Sequence, residues 1–212
     1  VRVPVAAPIF MKYSMKKIIV FITLLNFLVP LNLKIHDYDN PSANHILDAE
    51  IIGDLLIVSG MIGGIEFYDI SNPQILNHLD NLTLSSGGGG GGGGTKPNCI
   101  IADGNYAYVT TNRGLGVINI SNPANPQYQG IVSNTDNYIL ENLDLKNNML
   151  AVAAHEDGVL LFDLSNSSTP SYIDSLPSNN AWAVLFNETY LYIADEQNLL
   201  IYDINDLSFI NS

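Results

Sequence analysis

Positive charge is nearly absent from the chain beyond Lys34. Only Lys96, Arg113 and Lys146 follow, against 21 Asp and Glu that all lie at or after Asp37, a net of −18. Such a body excludes nucleic-acid binding and disfavours any anionic surface as a partner. A single cysteine, Cys99, excludes an internal disulfide and a cysteine-based zinc site. The longest apolar run, from Ile18 to at most Leu33, is broken by Asn26 and Pro30 and falls short of the roughly 20 residues of a spanning helix. G-x-S-x-G, H-E-x-x-H and EF-hand patterns are missing. The glycine run 87–94 leads into Thr95-Lys96, the reverse of a phosphate loop's ending, and no helical pattern follows it. No catalytic set, metal site or cofactor is expected.

The five remaining basic residues lie in the first 34 positions. Met15-Lys16-Lys17 precedes Ile18–Val29, a short basic end before a dozen mostly apolar residues, as in a secretory signal peptide. No clear small-x-small triplet lies near residues 28–36, so an uncleaved anchor is the alternative. Residues 1–34 are read as a leader, the signal or anchor being about 15–34. Residues 1–14 are read as an over-extended start, with Met11 and Met15 as initiators. Either way residues 35–212 are expected outside the cytoplasm, secreted or at the cell surface, touching membrane only through an uncleaved leader.

Self-comparison uncovers a repeat. Four second strands align, Leu55–Val58, Tyr106–Val109, Met149–Val152 and Tyr190–Ile193, each before a turn and a third strand. The third strands close on Asp69, Asn119, Asp163 and Asp203, which fit Asx-turns. Gly64, Gly114, Gly158 and, in the fourth copy, Asn198 stand where a left-handed turn residue is expected. Pro73 and Pro123 then stop the ladder. Outer strands are expected at Gln127–Val132 and Tyr172–Leu176. Four short strands per roughly 40 residues is the spacing of a β-propeller blade. The expected fold is an all-β, propeller-like array of about four blades (46–84, 97–137, 138–179 and 180–212), the last ending in or just after its outer strand. The glycine run reads as a loop insertion between the first two.

Tyr106–Pro126, Phe67–Pro73 and Leu161–Asn166 resemble the LVIVD repeat, found in exported and surface proteins of bacteria and archaea. That resemblance implies a propeller and an exported location, and no reaction. Single-chain propellers usually carry four to eight blades. Three explanations therefore stand: a piece of a longer propeller, an open array that self-association completes, or a four-bladed ring.

Candidate sites are few. Tyr106, Tyr108, Tyr190 and Tyr192 stand in pairs on one strand face. Packing between blades is their first explanation and stacking against a sugar the second. Trp182, the only tryptophan, reads as core or as a channel or rim residue. His155-Glu156-Asp157 reads as a solvated turn, and Cys99 as a small buried hydrophobe. Asn81, Asn119, Asn166 and Asn187 begin N-x-S/T sequons and are candidates for glycosylation. The inner-strand segments carry Asp48, Glu50, Asn98, Glu141, Asn142 and Asp144. Three functions follow: a non-enzymatic scaffold contacting a protein or surface polymer, a hydrolase or lyase using the central channel, and a glycan-binding module.

Overall fold

The structure, a computed structural model, describes residues 44–62, 64–72, 74–84 and 95–211. The leader, His36, Pro73 and the glycine run lie outside them. Sixteen strands and no helix occur among the described residues. They form four antiparallel four-stranded sheets, each joined in chain order. The first sheet holds β1 (Asn44–Ile52), β2 (Leu55–Ile62), β3 (Gly64–Asp69) and β4 (Asn77–Leu82). The second holds β5 (Pro97–Asp103), β6 (Tyr106–Thr111), β7 (Gly114–Asn119) and β8 (Gln127–Ile131). The third holds β9 (Leu143–Lys146), β10 (Met149–Ala153), β11 (Val159–Asp163) and β12 (Ser171–Leu176). The fourth holds β13 (Ala181–Phe186), β14 (Tyr190–Asp195), β15 (Asn198–Asp203) and the three-residue β16 (Phe209–Asn211).

The blades are copies down to their irregularities. In each, the register slips at one place between third and outer strand, at Phe67/Tyr68, Val117/Ile118, Leu161/Phe162 and Ile201/Tyr202. Each third strand closes with the same Asx-turn. Asp69, Asn119, Asp163 and Asp203 accept the backbone N–H two residues on, at 2.8, 2.9, 2.9 and 2.8 Å.

The third strands read as unbroken apolar runs because both faces are covered, one by the preceding blade and one by the next. Val159, Leu160, Leu161 and Phe162 are all buried. Even residues of β11 pack on blade two and odd residues on blade four. Three such layers, between blades one and two, two and three, and three and four, form the core. The inner strands β1, β5, β9 and β13 neighbour one another in that order. Among the described residues β13 makes no comparable contact with β1. The far face of blade four is accordingly open. Leu199 is 53% exposed, whereas Ile65, Leu115 and Val159, at the same register position in the other blades, are fully buried.

The hairpin glycines show where local geometry depends on the blade. Gly64 and Gly158 have φ of +102° and +81°, and an added Cβ would stand 2.3 Å from the outer-strand carbonyls of Leu82 and Leu176. Gly114 (φ +127°) meets the Thr135 carbonyl in the same way, at 2.5 Å. Asn198 departs from the expectation. It pairs with Asp195 as an ordinary strand residue, and the left-handed residue of that turn is Glu196, φ +39°. Among the described residues β16 pairs with β15 no farther along than Ile201, whereas β4 reaches Ile65 of β3.

Candidate binding site at the top of the blades

Each inner strand begins at the same end of the assembly, here termed the top. Asp48, Glu50, Asn142 and Asp144, on or just before these strands, each bond the next blade. The Asp48 carboxylate accepts the N–H of Ile100 at 2.9 Å, and Glu50 accepts that of Ala102 at 3.4 Å. The pattern repeats two blades on, where Asn142 accepts the N–H of Val184 at 2.9 Å and Asp144 that of Phe186 at 2.6 Å. Adjacent inner strands are not laddered to each other, so these side chains satisfy backbone donors that would otherwise lack partners. Burial pushes the Glu50 carboxyl above its ordinary value, with the Asp48 charge adding to the effect.

Cys99 joins these bonds into one chain. Its thiol donates to Asp48 at 2.9 Å and accepts from the Asn142 amide at 3.5 Å. Blades one, two, three and four are thus connected through Asp48, Cys99, Asn142 and the N–H of Val184. The sequence reading of Cys99 as a small hydrophobe missed this. The residue is half-buried and is a hydrogen-bonding link.

A second chain lies nearer the top. The Asn98 amide donates to one oxygen of Glu141. The other Glu141 oxygen lies 2.9 Å from Nε2 of His155, and Nδ1 of His155 lies 3.1 Å from the Asn180 side-chain oxygen. Behind it stands Asp195, only 1% exposed. Burial works to raise its carboxyl, but the Asn180 N–H at 2.6 Å and the Ser178 hydroxyl at 2.8 Å outweigh that and hold it below the ordinary aspartate range. Asp195 therefore fixes the loop that carries Asn180. His155 takes a left-handed backbone, φ +52°, uncommon for a non-glycine residue. It is not the solvated-turn residue expected: its side chain is 23% exposed and bonded at both nitrogens.

Trp182 stands against this chain, its ring centroid 4.7 Å from that of His155 and nearly perpendicular to it. It is 49% exposed, a rim residue and not a core one. Glu141 also lines a pocket of about 310 Å³. Asn98, Glu141 and Lys96 line it, and the exposed Leu47, Met61 and Ile139 form its apolar rim.

The remaining sequence candidates do not join this site. Tyr108 is fully buried against blade three, its hydroxyl bonded to the Ser167 carbonyl at 2.8 Å, and Tyr106 packs in the same layer. Tyr190 and Tyr192 are half-buried in β14 of blade four, edge to face with centroids 6.4 Å apart. Of the sequon residues, Asn119, Asn166 and Asn187 accept nearby backbone N–H groups, which accounts for asparagine there. Asn81 sits in β4 opposite Glu66. Among the described residues no cluster of three or more His, Cys, Asp or Glu could hold a metal ion.

The LVIVD repeat profile matches residues 97–134 and 178–211. Two segments of the chain thus match the LVIVD repeat. These fall on blade two and blade four. No curated protein matches the sequence. Among solved structures, the computationally designed Ika4 protein superposes with a TM-score of 0.60 at 12% identity, over 79% of this chain and 96% of its own. The designed Ika8 protein gives 0.57 at 11% identity over 77% of this chain, and the extracellular domain of BT4673 from B. thetaiotaomicron gives 0.59 at 18% over 82%. This chain spans 47% of the Ika8 chain and 22% of the BT4673 one. At such identities the likeness establishes the propeller-like fold and nothing of activity.

Proposed function

We propose that this LVIVD protein is an exported or cell-surface propeller that acts as a non-enzymatic scaffold, meeting a protein or surface polymer at the top of its blades. One observation carries the reading. Of the carboxylates that a channel enzyme would use, Asp48, Glu50 and Asp144 are engaged with the backbone of the next blade, and Glu141 with the side chains of Asn98 and His155. A general base needs a lone pair aimed at the substrate's proton. Asp48, Glu50 and Asp144 each commit a lone pair to Ile100, Ala102 and Phe186, which holds the carboxylate against the next blade. Export is supported by the basic-then-apolar leader, the acidic body, the company LVIVD repeats keep in exported proteins, and the likeness to an extracellular domain.

The test has two arms. External protease added to intact cells should digest the chain. A photo-crosslinking residue placed at Ile139, on the top rim, should give a discrete adduct, and one at Tyr172 in outer strand β12 should not. Protection of the chain in intact cells overturns export. Turnover of a hydrolase or lyase substrate, lost in Glu141→Gln, overturns the non-enzymatic scaffold.

A further inference from the structure

We infer that the top of blades two to four is a binding site for a neutral sugar, with Trp182 as the stacking platform and Glu141 as the main hydroxyl acceptor. The inference rests on the reading of the top as a contact surface and names its ligand class. Three features lie side by side. Trp182 is the only tryptophan and is half exposed, at the extra residue of a bulge between Ala181 and Ala183, where blade one carries Leu47 between Ile46 and Asp48. The indole there leaves an open aromatic surface beside the His155 ring and its polar neighbours. Such a ring has an apolar body with a polar handle, suited to a ligand with C–H faces and a hydroxyl rim.

The second feature is the line of planar polar groups next to it: Asn180, His155, Glu141 and Asn98. Each Glu141 oxygen has one internal partner, and a carboxylate oxygen offers two lone pairs. One acceptor position on each oxygen therefore remains for ligand hydroxyls. The internal bonds fix the carboxylate before any ligand arrives, so binding loses little side-chain freedom. The left-handed backbone at His155 is what turns the imidazole onto Glu141 and Asn180, and local strain of this kind gathers at ligand sites.

The third feature is the pocket that Glu141 lines, about 310 Å³, at the small end of the range of about 300–1,000 Å³ usual for small-molecule sites. Charge then selects among sugars. A body of −18 disfavours uronic or sialic acids, and Lys96 is the single cation lining the pocket.

Because the chain has one tryptophan, its emission reports this site alone. The full chain is titrated with methyl glycosides of glucose, galactose, mannose and N-acetylglucosamine, with glucuronate as the acidic control. The expected result is a saturable change in emission with at least one neutral glycoside and none with glucuronate. Calorimetry with the same glycoside should show binding lost in Trp182→Ala and weakened about tenfold or more in Glu141→Gln, the usual scale for a charged acceptor. Circular dichroism establishes that each variant is folded. Tyr192→Phe, another aromatic of blade four, should bind as the parent does. No saturable change up to the solubility of every neutral glycoside overturns the inference, as does undiminished binding in folded Trp182→Ala. Failure here with export and the Ile139 adduct intact removes the sugar and leaves the scaffold.

Discussion

The Asp48 carboxylate lies 2.9 Å from both the N–H of Ile100 and the thiol of Cys99, so one side chain of blade one satisfies two donors of blade two. The thiol is thereby pushed up to about 12, first by burial and then by its bond to Asp48 and the charge there. Its ordinary value is 9.0, so the neutral thiol is favoured in the folded state. The sign follows: this contribution is fully present below about pH 9 and is lost as pH rises from there toward 12. At pH 8 the native protein should resist an aromatic disulfide reagent, and full reaction should appear only in denaturant.

Replacing Asp48 removes both bonds. Asp48→Ala should cost about 1–3 kcal/mol in urea unfolding, the range for leaving a buried donor without a partner. Asp48→Asn retains an acceptor and should cost less. It should also speed modification of Cys99, because the charge that opposes the thiolate is gone.

Repetition supplies an internal control for packing. Leu115 and Leu199 occupy the same register position in blades two and four, one fully buried beneath blade three and the other 53% exposed. Leu115→Ala should cost about 2–5 kcal/mol, transfer and cavity together. Leu199→Ala should stay within about 0.5 kcal/mol of the parent. Paired denaturation curves decide it, and equal losses would mean that blade four is covered in solution.

Turn chemistry gives a second internal control. Gly158→Ala must place a side chain at φ +81° and 2.3 Å from the Leu176 carbonyl, so it should lose more than about 1 kcal/mol. Asn198→Ala, at the matching position in blade four, sits in ordinary strand geometry and should change the thermal midpoint little.

The blades were legible because their signals are local. A short apolar strand, a turn residue before each third strand and an Asx residue after it all act within a few positions, and they recur in four copies. The site was not legible for the opposite reason. Glu141, His155 and Asn180 are 14 and 25 residues apart, and their bonds depend on where one blade's turn meets the approach to the next. Nothing in His155-Glu156-Asp157 distinguishes it from the aligned turns Asn112-Arg113-Gly114 and Glu196-Gln197-Asn198. Asp195, which holds the Asn180 loop, looked like any strand-ending acid. Trp182 was noticed for its rarity, and its exposure at the bulge between Ala181 and Ala183 is encoded by no local pattern.

Acid should unfold the protein through a definable set of carboxyls. Asp69, Asp163 and Asp206 are held below their ordinary value of 3.8, Asp69 first by the backbone N–H of Ser71 and the others first by the hydroxyls of Ser165 and Ser208. Asp195 is held low by the donors around Asn180 despite its burial. A depressed carboxyl stabilises the fold above its unfolded value, and that stabilisation is lost as pH falls through the folded one. The denaturation midpoint should therefore hardly respond to these four above about pH 5 and should drop below about pH 4. Asp163→Asn keeps the Asx-turn, as Asn119 does in blade two, and should flatten part of the acid slope with little change at pH 7. Asp195→Asn should flatten it too. It also substitutes an amide for a charged acceptor of the Asn180 N–H, so it should loosen the loop beside Trp182 and shift that residue's emission at neutral pH. An acid slope unchanged in both variants would assign the loss to other carboxyls.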